Sequence, residues 1–530
     1  MTIFNGIFPG PGADKTRYRL LTKQHVKTRK WNGRTYLFVE PAGLSLLAAE
    51  AFSDGSFFLR ASYLAQLAAI GKDTGASDND RFVARALLKN AVIAAEGVLP
   101  LCQDTGTATI IAFKGEAVQT GDDDVQALSR GVFKAYTENN LRYSHMAPLS
   151  LFDEVNTGCN LPAQIDIASV LGNEYRFLCM AKGGGSSNKT ALFQETKALL
   201  NKTSFAAFLK EKIKALGVAA CPPYHIAVVV GGTSPEMCLK TVKLALTGHL
   251  DNLPLKGNKR GSAFRDRFWE KQVLAIARET GLGAQFGGTY LALDARVIRL
   301  PRHAGSCPIG LGVSCNADRN IKAKITKQGI FLEALEKNPS RYFASVPFSS
   351  AKEPVPVDLN KPMAAILKQL AACPAGTLVS LSGPLIVARD SAHARIKNIL
   401  DKTGDIPEYF KQHPVYYAGP AKTPKGMISG SFGPTTALRM DAYVPSFMKQ
   451  GASLVSLAKG NRAATVTEAC KTYGGFYLGT IGGAAALIAR ENIVKTEIID
   501  FADLGMEAIR RITVKDLPAF ILINSRGCTA

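Results

Sequence analysis

Apolar positions between residues 41 and 100 recur at helical spacing, as in SYLAQLAAIGK and RFVARALLKNAVIAAEG, with Gly, Pro and Asp between the runs. This predicts a helical scaffold. From 160 to 320 the pattern changes to short strand-like runs (YHIAVVVGG, ARVIRL) alternating with helices such as MCLKTVKLAL and joined by glycine-rich turns. Residues 1–332 therefore read as an α+β N-terminal domain. The stretch 333–362, EALEKNPSRYFASVPFSSAKEPVPVDLNKP, is rich in Pro, Ser and charge and keeps no period, so a linker is expected there. Beyond it, TLVSLSGPLIVARD and YGGFYLGTIGGAAALIA predict buried strands or close-packed glycine turns. PEYFKQH and 466–472 predict short helices, giving a second, β/α domain over 363–530.

A chain of 530 residues is too long for one ordinary core, which agrees with two domains. Its apolar runs fall short of the ~18–20 residues that cross a bilayer. The net charge of +21 suits nucleic acid, anionic lipid or small anionic substrates. The densest basic stretch, 15–34, has no acid but also no nucleic-acid-binding motif beside it, so it reads as a solvated face or subunit contact. Ten cysteines lack the dense spacing of a secreted disulfide scaffold, and the N-terminus shows neither a signal peptide nor a Ser-rich transit peptide. The cytoplasm is expected, with the mitochondrial matrix as the alternative.

Three cysteines stand in polar turns far apart in sequence: Cys102 in PLCQDTGTA, Cys221 in CPPYHIAVVVGG and Cys315 in SCPIGLGVSCNADRN. Soft thiolates so placed suit an iron–sulfur cluster with three protein ligands and one iron left open. Each alone also reads as a buried cysteine, followed by an Asx-turn at Cys102 or a rigid turn at Cys221. The run KGGGSSNKT at 182–190 has Asn188 where a Walker loop needs glycine, which argues against ATP. Its glycine N–H groups can still form an anion nest, or a plain flexible turn. The segments 299–319 and 416–444 are too rich in glycine and polar groups for core strands. They present His303, twelve residues ahead of Cys315, and Thr435, Thr436 and Arg439 after a Gly-Pro turn.

Together with NLPAQID, ARDSAHARI, LAKGNR and GLGAQFGGTYLALDARVIRLPRHAG, these segments make the chain resemble, over nearly its whole length, the class I, iron–sulfur-dependent fumarate hydratases. The resemblance implies a [4Fe-4S] cluster on Cys102, Cys221 and Cys315, its free iron taking the carboxylate and hydroxyl of malate. It implies that Gln103, Asp104, Arg142, the Gly185 backbone, Arg389, Thr435, Arg439 and Lys459 surround the dicarboxylate, with His303 near the cluster side of the pocket. Thr435 would act as base, exchanging a proton with Asp104. It also implies a homodimer whose active site lies between the α+β domain and a swivelling C-terminal β/α domain. Cys159, Cys307, Ala388 and Leu438 depart from the family pattern without removing a ligand. Dehydration of L-tartrate and hydration of mesaconate are the neighbouring activities; a nucleic-acid-binding iron–sulfur regulator is the alternative of another class.

Overall fold

The computed structural model describes residues 6–8, 14–345 and 353–530. Two sheets build the N-terminal half. The first orders its six strands Tyr18–Thr22, Gly329–Glu333, Asn320–Thr326, Tyr175–Lys182, Thr107–Gly115 and Gln164–Val170. The helices Pro41–Phe57 and Asp124–Glu138 share a core with it. Pro41–Phe57 starts with proline at its first turn, where the missing N–H costs nothing, and buries 11 of its 17 residues. A helix so apolar is stable only when enclosed.

The second sheet orders Ala191–Glu195, Cys307–Ser314, Tyr224–Gly232, Ala292–Arg302 and Phe264–Arg265. Every residue of its central strand, YHIAVVVGG, is buried, as expected of an apolar strand covered on both faces. That strand runs parallel to Ala292–Arg302 and antiparallel to Cys307–Ser314, with His225 opposite Ser314.

The C-terminal half has a seven-stranded sheet in which Val355–Asp358, Leu378–Val387, Val415–Tyr416, Val455–Ala458 and Phe476–Gly479 run parallel. Helices Met363–Ala371, Asp390–Thr403 and Ala464–Tyr473 lie in three of the connections, as parallel pairing requires. The 15-residue strand Ile509–Ile523 pairs antiparallel with both Leu378–Val387 and Phe476–Gly479, closing the sheet on itself, and also pairs with Ile493–Asp500.

In the stretch whose composition marks it as a linker, Val355–Asp358 is a strand of this sheet and Glu333 ends a strand of the first; residues 346–352 lie outside the described residues. The halves share one apolar core, running from Leu64, Val83 and Leu87 to Leu381, Leu457 and Ile512. The basic stretch at 15–34 forms Tyr18–Thr22 and part of the hairpin Val26–Trp31/Arg34–Val39, where Glu40 meets His25 and Lys27, and Glu116 meets Arg34.

Candidate active site

Strand register brings two of the three cysteines together. Cys221 immediately precedes the region of Tyr224–Gly232, and Cys315 follows the antiparallel Cys307–Ser314, so both occupy one end of the second sheet. The Asn316 N–H donates to the Cys221 carbonyl at 3.0 Å. Cys221 has a left-handed backbone (φ 62°), a conformation that costs an L-residue about 1–2 kcal/mol. Cys102 enters from the segment before Thr107–Gly115, where Asn90 Nδ2 donates to the carbonyls of Leu101 (3.0 Å) and Gly483 (3.2 Å). The charge of Lys459 acts on all three thiols, and its Nζ lies 2.8 Å from Cys221 Sγ.

The C-terminal half reaches this place with the carboxyl ends of its parallel strands. Arg389 follows Leu378–Val387, Lys459 follows Val455–Ala458, and Gly482 lies just past Phe476–Gly479. Thr435 is held against Tyr417, which follows Val415–Tyr416: its N–H and hydroxyl donate to the Tyr417 carbonyl at 2.8 and 3.2 Å. Two amides clamp the halves together. Gln285 Nε2 and Asn316 Nδ2 each donate to the carbonyls of Pro222 (3.0 and 3.1 Å) and Gly482 (both 2.9 Å). A Cβ at Gly482 would overlap the Cys221 sulfur, and one at Gly483 (φ 90°) would overlap Asn316. The apposition therefore explains why glycines stand there.

A cavity of about 480 Å³ opens beside Lys459 and the residues that follow Cys102, lined by Gln103, Asp104, Arg142, Gly185, Thr435, Arg439 and Lys459 among others; none of the three thiols is in its lining. A larger cavity of about 740 Å³, beside Phe113, Met237 and His249, contains none of these groups. Burial pushes the Asp104 carboxyl up, but Arg142, Arg319, the Gly184 N–H and Lys459 together hold it below the ordinary carboxylate range. The Gly184 N–H reaches Asp104 Oδ2 at 2.9 Å, so the triple-glycine turn serves this side chain. Arg142 has a buried Nε without a partner among the described residues, a donor free to hold an anion. Arg389 is 2% exposed and backs the rim: its Nη2 donates to the Met506 carbonyl at 3.1 Å and its Nε lies 3.5 Å from Glu507. Burial, then the like charge of Arg142, pushes its guanidinium down to about 9. Arg439 pairs with Asp390 at 3.2 Å. Gln103 Nε2 donates to the Pro434 carbonyl at 3.0 Å, which sets the Cys102 turn against the Thr435 segment.

Two expectations change. His303 follows the far end of Ala292–Arg302, which runs parallel to Tyr224–Gly232 with Arg302 opposite Gly232. Cys221 precedes the near end, so nine residues of strand put roughly 25–30 Å between them. His303 is exposed, accepts a hydrogen bond from the Gly305 N–H, and does not line the cavity. Sequence nearness to Cys315 misleads because Cys307–Ser314 is a full strand that carries the chain across the sheet. The histidine beside the thiols is His225, buried, with Nδ1 2.8 Å from Asp294 Oδ1. Thr435 and Asp104 share no hydrogen bond among the described residues, so proton exchange between them needs substrate or water in between. Asn90, Gln285 and Asn316 escape a reading of sequence because each acts through a backbone carbonyl distant in the chain.

Burial pushes the Cys102 thiol up to about 12 and raises that of Cys315, while Arg319 and Lys459 oppose it in both. Soft thiols facing two buried cations suit an anionic iron–sulfur group. Among the described residues no three His, Cys, Asp or Glu side chains converge closely enough to hold one metal ion. No described helix is long and apolar enough to cross a membrane.

Comparison with known proteins agrees with this geometry. Residues 45–324 match the family model "Fumarate hydratase (Fumerase)" and 329–530 match "Fumarase C-terminus". The chain is 56% identical to the aerobic class I fumarate hydratase of Escherichia coli K12, covering 97% of this chain and 94% of that one. It is 54% identical to fumarate hydratase 2 of Leishmania major, covering 96% and 89%. A putative L(+)-tartrate dehydratase subunit alpha of Methanocaldococcus jannaschii is 30% identical over 46% of this chain and 83% of its own. With both halves matched in order and relatives more than 50% identical over nearly the whole chain, the chain belongs to the class I fumarate hydratase family of hydro-lyases.

Proposed function

We propose that this protein interconverts fumarate and S-malate, using a [4Fe-4S] cluster held by Cys102, Cys221 and Cys315 with its fourth position open. The observation that carries this is that Lys459, on which three cysteines from three distant turns act, also lines a cavity whose walls combine Asp104 and Arg142 with Thr435 and Arg439. When bound, the cluster supplies a Lewis acid that polarises the hydroxyl of malate. The remaining demands fall on side chains.

Arg142, Arg439 and Lys459 line the cavity, and Arg389 lies behind it, as expected of a clamp for two carboxylates and for the charge that builds toward an aci-carboxylate. Thr435 is 6% exposed with its hydroxyl fixed on Tyr417, which orients it for the C–H proton. An unperturbed hydroxyl is too weak an acid to serve as alkoxide, so the surrounding cations have to favour its charged form. Asp104, kept ionised, is the carboxylate available to pass the proton on.

The same reading carries a homodimer and a C-terminal domain that swivels over the cluster. Leu151 and Phe152, 88% and 90% exposed, lie in the turn of the hairpin Met146–Pro148/Glu154–Asn156, and support a covered subunit contact. All ten cysteines are free, as the cytoplasm or a mitochondrial matrix requires.

Anaerobic reconstitution, iron and sulfide counting and a malate-to-fumarate absorbance assay test cofactor and reaction together. Absence of malate turnover in the reconstituted protein overturns the assignment. The tartrate dehydratase relative motivates parallel rates on tartrate and mesaconate.

A further inference from the structure

Arg319 sits four residues after Cys315, at the end of the segment 299–319, and is one of the most enclosed charges in the molecule at 5% exposure. Its carbonyl accepts the Ala181 N–H at 3.0 Å, which ties its backbone to the strand Tyr175–Lys182. Its Nη1 donates to the Asp104 carbonyl at 2.6 Å, and its buried Nε has no partner among the described residues. The neighbouring carboxylate does not serve it: Asp318 accepts the Ser314 hydroxyl at 2.6 Å and lies 3.7 Å from Arg60. The charges that meet the Arg319 guanidinium are Cys102, Cys315 and Asp104. It does not line the substrate cavity.

A buried guanidinium without a salt-bridge partner is unfavourable unless anionic ligands face it. Here those anions are the Asp104 carboxylate and, as cluster ligands, the Cys102 and Cys315 thiolates. Lys459 supplies a second cation, from the C-terminal half and beside Cys221. Two buried cations, one fixed in each half, thus face the same group of thiols, and both act on Cys102 and Cys315.

We propose that Arg319 is a positioning residue that balances the charge of the Cys102 and Cys315 thiolates and holds the Cys102–Asp104 turn by its carbonyl, without touching substrate. This rests on the cluster reading above and adds to it a determinant of cluster potential and retention.

The test uses the reconstituted full chain and its Arg319→Gln and Arg319→Lys variants. Redox titration followed by electron paramagnetic resonance should show a more negative midpoint potential in R319Q, because removing a cation disfavours the added electron. R319K should stay near wild type. Iron loss in air should quicken in R319Q by about 10- to 100-fold, the range that outer-shell partners of metal ligands command. In both variants kcat should fall while KM for malate stays within about twofold, since Arg319 itself does not line the cavity. If R319Q does not fold, R319K decides: its ammonium keeps the charge but loses the Asp104 carbonyl, so wild-type kcat in R319K overturns the proposal. Unchanged potential and iron retention in a folded R319Q overturn it as well. A wild-type chain that binds no cluster defeats the cluster reading, and the proposal with it; a wild-type chain that binds one leaves these outcomes to judge Arg319 alone.

Discussion

The ammonium of Lys459 lies 2.8 Å from the thiol sulfur of Cys221, although 238 residues separate them and they belong to different halves of the chain. Burial pushes that ammonium down, but the Cys221, Cys102 and Cys315 thiols more than offset it and leave it raised. One buried cation therefore couples the floor of the site, contributed by the N-terminal half, to the wall contributed by the other.

Lys459→Met should remove this coupling and leave the thiolates short of counter-charge. Breaking a buried charge pair typically costs about 3–5 kcal/mol, so kcat/KM for malate should fall by at least about 10²-fold. Iron per chain after reconstitution should fall too; a variant with full iron and full activity would show that Lys459 is dispensable.

Thr435→Ala should leave iron content and melting temperature near wild type, because the side chain makes one hydrogen bond, to a carbonyl. Turnover should drop by roughly 10²- to 10⁴-fold, the range of a general acid–base group. Wild-type turnover with an intact cluster would remove Thr435 from the reaction.

Gly482→Ala places a methyl against the Cys221 sulfur and the Lys459 chain. Overpacking of this kind costs about 1–3 kcal/mol, and here the cost falls on a ligand turn. Reconstituted iron should be low and the melting temperature reduced. Gly55→Ala, at a helical glycine with open space around it, is the control and should raise stability by roughly 0.5–1 kcal/mol.

The His225–Asp294 pair behind Cys315 makes stability depend on pH. Burial pushes the imidazole down, but Asp294 and Asp318 outweigh it, so its folded pKa is raised above the ordinary 6.5. The resulting stabilisation is fully present below 6.5 and is lost as pH rises through the folded value. For Asp294, burial is outweighed by His225 and Arg296, and its pKa is lowered from 3.8, so its contribution is present above 3.8 and lost as pH falls. Melting temperature of the wild type should decline above neutrality more steeply than that of His225→Gln; equal slopes would discount the pair.

Phe152 is 90% exposed at the turn of a hairpin. If a subunit contact covers it, Phe152→Asp should shift the protein toward monomer in sedimentation without unfolding it. An unchanged sedimentation coefficient would place the contact elsewhere.

The separate elements were legible in the chain because their signals are local. Helical spacing marks 61–72 and 78–94, and the unbroken apolar run YHIAVVVGG marks a strand buried on both faces. Asp104 and Gln103 could be named because they share a turn with Cys102, and the order of motifs along the chain sufficed to indicate the family. The strand Val355–Asp358 was hidden by Pro356 within it, Pro354 just before it and its short length, since an edge strand needs few ladder donors and tolerates proline.

What sequence alone determined is thus the set of reactive groups and the family to which they belong. Which of them meet was decided by the tertiary structure. His303 stands nearer to Cys315 in the chain than Cys221 does, yet strand direction carries His303 to the opposite end of the sheet and register brings Cys221 alongside Asn316. Arg319, Gln285 and Asn316 each bond a carbonyl more than a hundred residues away. Contact across a sheet or between two halves depends on register and packing, and neither is encoded in the spacing of residues along the chain.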